Sequence, residues 1–132
     1  MIAIIALALL CASLPPAAAL GDDGMWEIVF EDDFAGPDLN LSSWNIAKNV
    51  TRTSEWQIYT EDNIYVETGN LVIRTTSNQF PHNGVTYNFT SGWVDTLNKV
   101  ELQYGKFEAR IKLPLELPGV WPVYWMTDDN NQ

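Results

Sequence analysis

Trp121, Tyr124 and Trp125 crowd the stretch G-V-W-P-V-Y-W-M, among Val123 and Met126. An indole face is a good platform for the C–H edge of a sugar ring, and the indole N–H can donate a hydrogen bond beside it. The chain holds 6 Trp in 132 residues, a high count for its length. The competing reading makes these residues core aromatics, and composition alone favours the core. Other reactive types are scarce. The only cysteine, Cys11, lies in the first apolar segment, so the chain after that segment has no disulfide and no cysteine-based metal site. The only histidine, His82 in F-P-H-N-G, reads as a solvent-exposed turn residue. Three triplets, Asn40-Leu41-Ser42, Asn49-Val50-Thr51 and Asn88-Phe89-Thr90, are acceptors for N-glycosylation on an exported chain in a eukaryotic host.

Charge narrows the partners. Seventeen acidic residues against 7 basic ones give a net charge of -10. Like charges repel, which argues against nucleic acid and anionic membrane surfaces. A neutral ligand such as a sugar is unaffected. The hydrophobic share of 46% fits one globular domain and excludes a disordered composition. The beginning is of another kind. M-I-A-I-I-A-L-A-L-L-C-A-S-L is apolar, breaks at Pro15-Pro16 and runs into Ala17-Ala18-Ala19. That order reads as a secretory signal peptide over 1-19, although no Lys or Arg precedes the apolar run. The run is short for a bilayer span, which needs about 20 apolar residues. The expectation is a secreted chain of residues 20-132 with no membrane attachment after cleavage.

The elements that must hold the aromatics read as strands and turns. W-E-I-V-F puts Trp26, Ile28 and Phe30 on one face. N-I-Y-V-E-T-G-N-L-V-I-R-T-T is two β-rich runs around Thr68-Gly69-Asn70, a hairpin signal because Gly accepts the positive φ of a tight turn. V-T-Y-N-F-T-S-G-W-V looks like a second strand pair. In G-K-F-E-A-R-I-K-L-P, Phe107, Ala109, Ile111 and Leu113 alternate with Lys106, Glu108, Arg110 and Lys112. Strict alternation predicts a strand with one buried face, ended by Pro114. The stretch from Trp121 to Met126 carries bulk on both faces and reads as a central strand. No helical periodicity follows the signal segment. The fold class is all-β, a sandwich.

The order of these blocks carries a resemblance. W-E-I-V-F-E-D-D-F, Y-T-E-D-N-I-Y-V-E-T-G-N-L-V-I, S-G-W-V-D-T, Y-G-K-F-E-A-R-I-K-L-P and G-V-W-P-V-Y-W-M together resemble glycoside hydrolase family 16, in its laminarinase and endo-β-1,3(4)-glucanase branch. The likeness runs from about Trp26 to Met126. It implies a concanavalin-like β-jelly roll with a β-glucan across a concave sheet, and hydrolysis with retention. The family's catalytic E-x-D-x-x-E follows the W-P-x-x-W-M block. Retaining chemistry needs two carboxyl groups about 5–5.5 Å apart, one as nucleophile and one as acid. Here Glu31-Asp32-Asp33 gives E-x-D, with Ala35 and Gly36 where the second Glu would stand. It belongs to the D-D-F block. The expectation is an N-terminal portion of the domain, lacking the catalytic strand and the C-terminal strands, with the carboxylates just beyond Gln132 and the chain itself inactive.

The resemblance also implies site residues. Asn63 in E-D-N-I-Y matches an Asn associated with the sugar cleft, with a turn Asn as the competing reading. Trp121 and Trp125 match cleft-side tryptophans. Trp93 stands where many relatives have Arg; it could stack on sugar but offers no charged fork. The family's structural calcium points to Asp33 and the backbone near Gly69, and no cofactor is needed for catalysis. Two function classes follow: a secreted endo-β-1,3-glucanase, monomeric at full length, and a non-catalytic β-glucan-binding, lectin-like protein.

Overall fold

The computed structural model describes residues 2–7, 26–114 and 118–127. The expected cleavage site at Ala19 lies outside them. The strands are β1 (Ile2–Leu7), β2 (Asn45–Ile46), β3 (Gln57–Tyr59), β4 (Ile64–Val66), β5 (Asn70–His82), β6 (Val85–Ser91) and β7 (Val94–Asp95). A 3-10 turn, Glu61–Asn63, separates β3 from β4. The all-β expectation holds.

β5 organises the larger sheet. Its first half pairs antiparallel with β1 and with β4, and its second half pairs antiparallel with β6. β3 then adds to β6 in parallel, Ile58 opposite Thr90. The turn between β4 and β5 is the predicted hairpin. Glu67 and Asn70 exchange backbone hydrogen bonds of 2.9 and 3.1 Å around Thr68 and Gly69, whose φ values are 48° and 69°. Two positive φ values define a type I′ turn, whose twist suits the flanking strands. Asn70 Nδ2 donates to the Thr68 carbonyl at 2.8 Å and helps to lock the turn. Asn83 and Gly84 repeat the geometry between β5 and β6, at φ 48° and 78°. His82 thus ends a strand, half-buried, instead of lying in the turn.

Thr68 is a β-branched residue in a left-handed conformation, where its Cβ substituents crowd the backbone. Thr68→Asn should therefore stabilise the fold by about 1 kcal/mol. The measurement is the urea midpoint at unchanged slope. An unmoved or lowered midpoint would show that Thr68 is not strained there.

The core lies between the β4–β5 hairpin and the β2–β7 ribbon. Leu39, Ile64 and Leu71 are buried, with Phe34, Trp44, Ile46, Val66, Ile73 and Val94 packed against them. Ile64 pairs with Ile73 and Val66 with Leu71, so all four share one face of the sheet. Trp44 closes one end. Its Nε1 donates to Asp32 Oδ2 at 2.7 Å, while Asp32 Oδ1 accepts from the Phe34 amide at 2.9 Å. The D-D-F block is thus an anchor for a core tryptophan.

Several expected strands differ. W-E-I-V-F carries no ladder among the described residues, and Trp26 is 59% exposed. The same holds for G-K-F-E-A-R-I-K-L-P, where Lys112 makes only an isolated bridge and Phe107, Ile111 and Leu113 are exposed. Alternation reports which face could be buried; a strand also needs a neighbour for its N–H and C=O groups. V-T-Y-N-F-T-S-G-W-V is not a strand pair. β6 joins β5 and β3, whereas β7 joins β2, Ile46 opposite Val94. Trp121–Met126 is not a strand either, and Trp121 is 88% exposed.

Candidate functional site

The break between β6 and β7 is Gly92-Trp93. Gly92 passes close to the 3-10 turn: a Cβ there would lie 2.9 Å from the Asn63 carbonyl oxygen and closer still to the Ile64 side chain. This approach delivers Trp93 to the start of β7, where its carbonyl accepts from the Ala47 amide at 3.0 Å. Trp93 lines a cavity of about 200 Å³ with Asn45, Ile46, Ala47, Val50 and Asp95.

Three groups frame the indole. Tyr59, at the end of β3, meets it edge-on, centroids 5.4 Å apart at 84°. The Tyr59 hydroxyl donates to Glu55 Oε2 at 2.8 Å, and Gln57 Nε2 donates to both at 2.8 and 3.0 Å. Burial, and then the Glu55 carboxylate accepting its proton, hold the Tyr59 pKa above the ordinary phenol value. Second, the Arg52 guanidinium lies over the Trp93 ring, 4.9 Å from its centroid. Third, Asn45 Nδ2 donates to Asp95 Oδ1 at 2.7 Å and to the Leu97 carbonyl at 2.9 Å, fixing the polar rim of the cavity. Asp95 Oδ1 also accepts from the Leu97 amide at 3.1 Å, which leaves Oδ2 without a hydrogen bond among the described residues. An apolar wall with amide and carboxylate groups at its edge suits a neutral sugar: ring carbons against the indole, hydroxyls toward the rim.

The other predicted residues are dispersed. Asn63 is buried, its Oδ1 accepting from Thr60 Oγ1 at 2.6 Å and its Nδ2 donating to the Arg74 carbonyl at 2.7 Å. It lines a separate cavity with Thr60, Asp62, Arg74, Thr76 and Thr90 among others. Both of its polar side-chain atoms hold the protein together. Trp121 and Trp125 are exposed and line neither cavity. Asp33 Oδ1 accepts from the Ala35 amide at 3.0 Å, and Gly69 is the second central residue of the type I′ turn. Among the described residues no three His, Cys, Asp or Glu side chains group as metal ligands. Asn40, Asn49 and Asn88 are all exposed.

Arg52, Tyr59, Asn45 and Asp95 were not legible as site residues. Tyr59 reaches Trp93 through the parallel β3–β6 pairing, Tyr59 opposite Ser91, and the β2–β7 pairing sets Asn45 opposite Asp95. No local spacing encodes those registers. The sole hint for Arg52 was the empty place for a cation that Trp93 left.

No protein-family profile matches the chain. Individual relatives do. It is 35% identical over 114 residues to glucan endo-1,3-beta-glucosidase A1 of Niallia circulans, covering 75% of this chain and 17% of that protein. It is 33% identical over 108 residues to the clotting factor G alpha subunit of Tachypleus tridentatus, covering 80% of this chain and 15% of that one. Among solved structures it resembles the catalytic domain of an endo-1,3-beta-glucanase (laminarinase) from Thermotoga petrophila RKU-1, with a TM-score of 0.56 and 28% identity over 61% of this chain and 35% of that one. The chain therefore spans only 15–17% of the length of these two curated relatives.

The class follows from strands and relatives together: this is the β-jelly roll of the β-glucanases. Within that class the chain falls in the laminarinase branch of glycoside hydrolase family 16, as its sequence blocks indicate.

Proposed function

We propose that the chain is part of a secreted endo-β-1,3(4)-glucanase, and that the Trp93 cavity is a glucose-binding subsite for β-glucan. The observation that carries this reading is the cavity itself, an indole wall with Asn45 and Asp95 at its rim. The whole protein would cut internal β-1,3 or mixed β-1,3/1,4 linkages with retention, through a carboxylate pair that residues 1–132 do not contain. Export rests on the segment over 1-19, and glycosylation on the exposed Asn40, Asn49 and Asn88.

Trp93→Ala tests the subsite. Removing the indole takes away the largest apolar surface of the cavity, and a loss of about tenfold or more in laminarin affinity is expected. Retardation in native gels containing laminarin measures it. An unchanged retardation would remove Trp93 from the binding surface.

A second reading is a non-catalytic β-glucan-binding protein. The likeness to a clotting factor subunit favours it, since that relative is named for coagulation and not for hydrolysis. The residues encoded after Gln132 separate the two. An E-x-D-x-x-E within about fifteen codons, on a strand that pairs into the same sheet, supports the enzyme; the fold without the two Glu supports the lectin.

A further inference from the structure

Arg52 is exposed, and its guanidinium lies over the face of Trp93 and near enough to Tyr59 to act on it electrostatically. Glu55 accepts from the Tyr59 hydroxyl and from Gln57 Nε2 through Oε2, and it forms no ion pair with Arg52. Arg52 makes no ion pair among the described residues. Among the described residues its five N–H donors have no protein acceptor. The segment is also anchored. Val50 and Tyr59 exchange backbone hydrogen bonds of 3.1 and 2.8 Å, closing a loop from which Arg52 projects two residues past the tie. A short tether to a fixed base limits the conformational freedom lost when the side chain engages a ligand.

We propose that Arg52 is a positioning residue for the sugar unit held at Trp93, its planar fork bridging two adjacent hydroxyls of a neutral glucosyl ring. The ligand class is a neutral β-glucan, because the net charge of -10 disfavours polyanionic glycans. Stacking a cation on an indole and donating from the same guanidinium are compatible, since the ring takes its face and the N–H groups lie in its plane. Asp95, in the cavity lining, has Oδ2 without a hydrogen bond among the described residues and offers an acceptor to a further hydroxyl. Trp93 and Arg52 together then supply stacking surface and fork from two separate positions. This proposal rests on the reading of the Trp93 cavity as a glucan subsite.

The test is titration calorimetry of the whole chain with laminarihexaose, comparing wild type, Arg52→Met, Arg52→Lys and Trp93→Ala. Arg52→Met keeps an aliphatic stem against the indole and removes the donors; Arg52→Lys keeps the charge and removes the fork. Both are expected to bind about five- to twentyfold more weakly, with thermal midpoints matching wild type because the residue is exposed. Wild-type affinity in Arg52→Met would show that Arg52 only packs on Trp93, and wild-type affinity in Arg52→Lys that charge suffices without the fork. Either result overturns the proposal while leaving the subsite, provided Trp93→Ala still weakens binding. A wild-type chain that does not bind laminarihexaose removes the subsite, and this proposal falls with it.

Discussion

Residues 1–132 are expected to release no reducing ends from laminarin above a buffer control. Retaining hydrolysis needs a nucleophile and a separate acid held about 5–5.5 Å apart, and enzymes gain roughly 10⁶-fold or more over the uncatalysed reaction through such arrangements. The one E-x-D in the sequence is Glu31-Asp32-Asp33. The structure commits it elsewhere. Asp32 binds the Trp44 indole with one oxygen and the Phe34 amide with the other, and Asp33 caps the Ala35 amide. Neither aspartate is a spare carboxylate poised over a cavity. The cavity that best suits a sugar has one carboxylate in its lining, Asp95, and its Oδ1 is tied to Asn45 and the Leu97 amide. A single carboxylate cannot act as both nucleophile and acid in one step. A colorimetric reducing-end assay on purified protein decides the matter. Laminarin hydrolysis that survives Asp95→Asn would mean that a carboxylate pair exists which neither the spacing nor the geometry reveals.

How far the sequence led depends on the range of the signal. Thr68-Gly69 and Asn83-Gly84 sit between β-rich runs, and both became type I′ turns at positive φ, because the requirement is local to two residues. The face shared by Ile64, Val66, Leu71 and Ile73 was likewise open to a period of two. The site was not. Trp93 was legible as an aromatic at a family position, but its partners arrive through β3–β6 and β2–β7 pairings that join residues about thirty to fifty positions apart. Asn63 is the case in which the competing reading, a turn Asn, gains the structural support. Its position suggested a ligand contact, yet Thr60 and the Arg74 carbonyl take both ends of its amide. Phe107, Ile111 and Leu113 alternate as well as any strand, and nothing in that pattern says which neighbour completes the ladder.

Gly92→Ala should cost about 1–3 kcal/mol of folding stability, and Gly92→Val more, as overpacking of a closed contact does. The reason is space and not backbone angle, since Gly92 is absent from the positive-φ glycines. A Cβ at this position would stand 2.9 Å from the Asn63 carbonyl oxygen and inside the Ile64 side chain. Neither neighbour can easily withdraw. The Asn63 amide donates to the Thr60 carbonyl at 3.2 Å and its side chain spans Thr60 and Arg74, so its carbonyl sits in a tied turn. Ile64 is buried in the core beside Leu39 and Leu71, and pairs with Ile73. Relief must then come from the backbone that carries Trp93, which moves the indole away from Tyr59 and the cavity. Stability and laminarin affinity should fall together in Gly92→Ala, against a total stability that is typically only about 5–15 kcal/mol. Ile64→Val in the same chain separates the two contacts. Trimming the isoleucine relieves the side-chain clash and leaves the carbonyl clash, so the double variant should recover part of the urea midpoint and little of the binding. An unshifted midpoint in Gly92→Ala would mean that the β6–β7 break is loose, and that Trp93 is not set by this close approach.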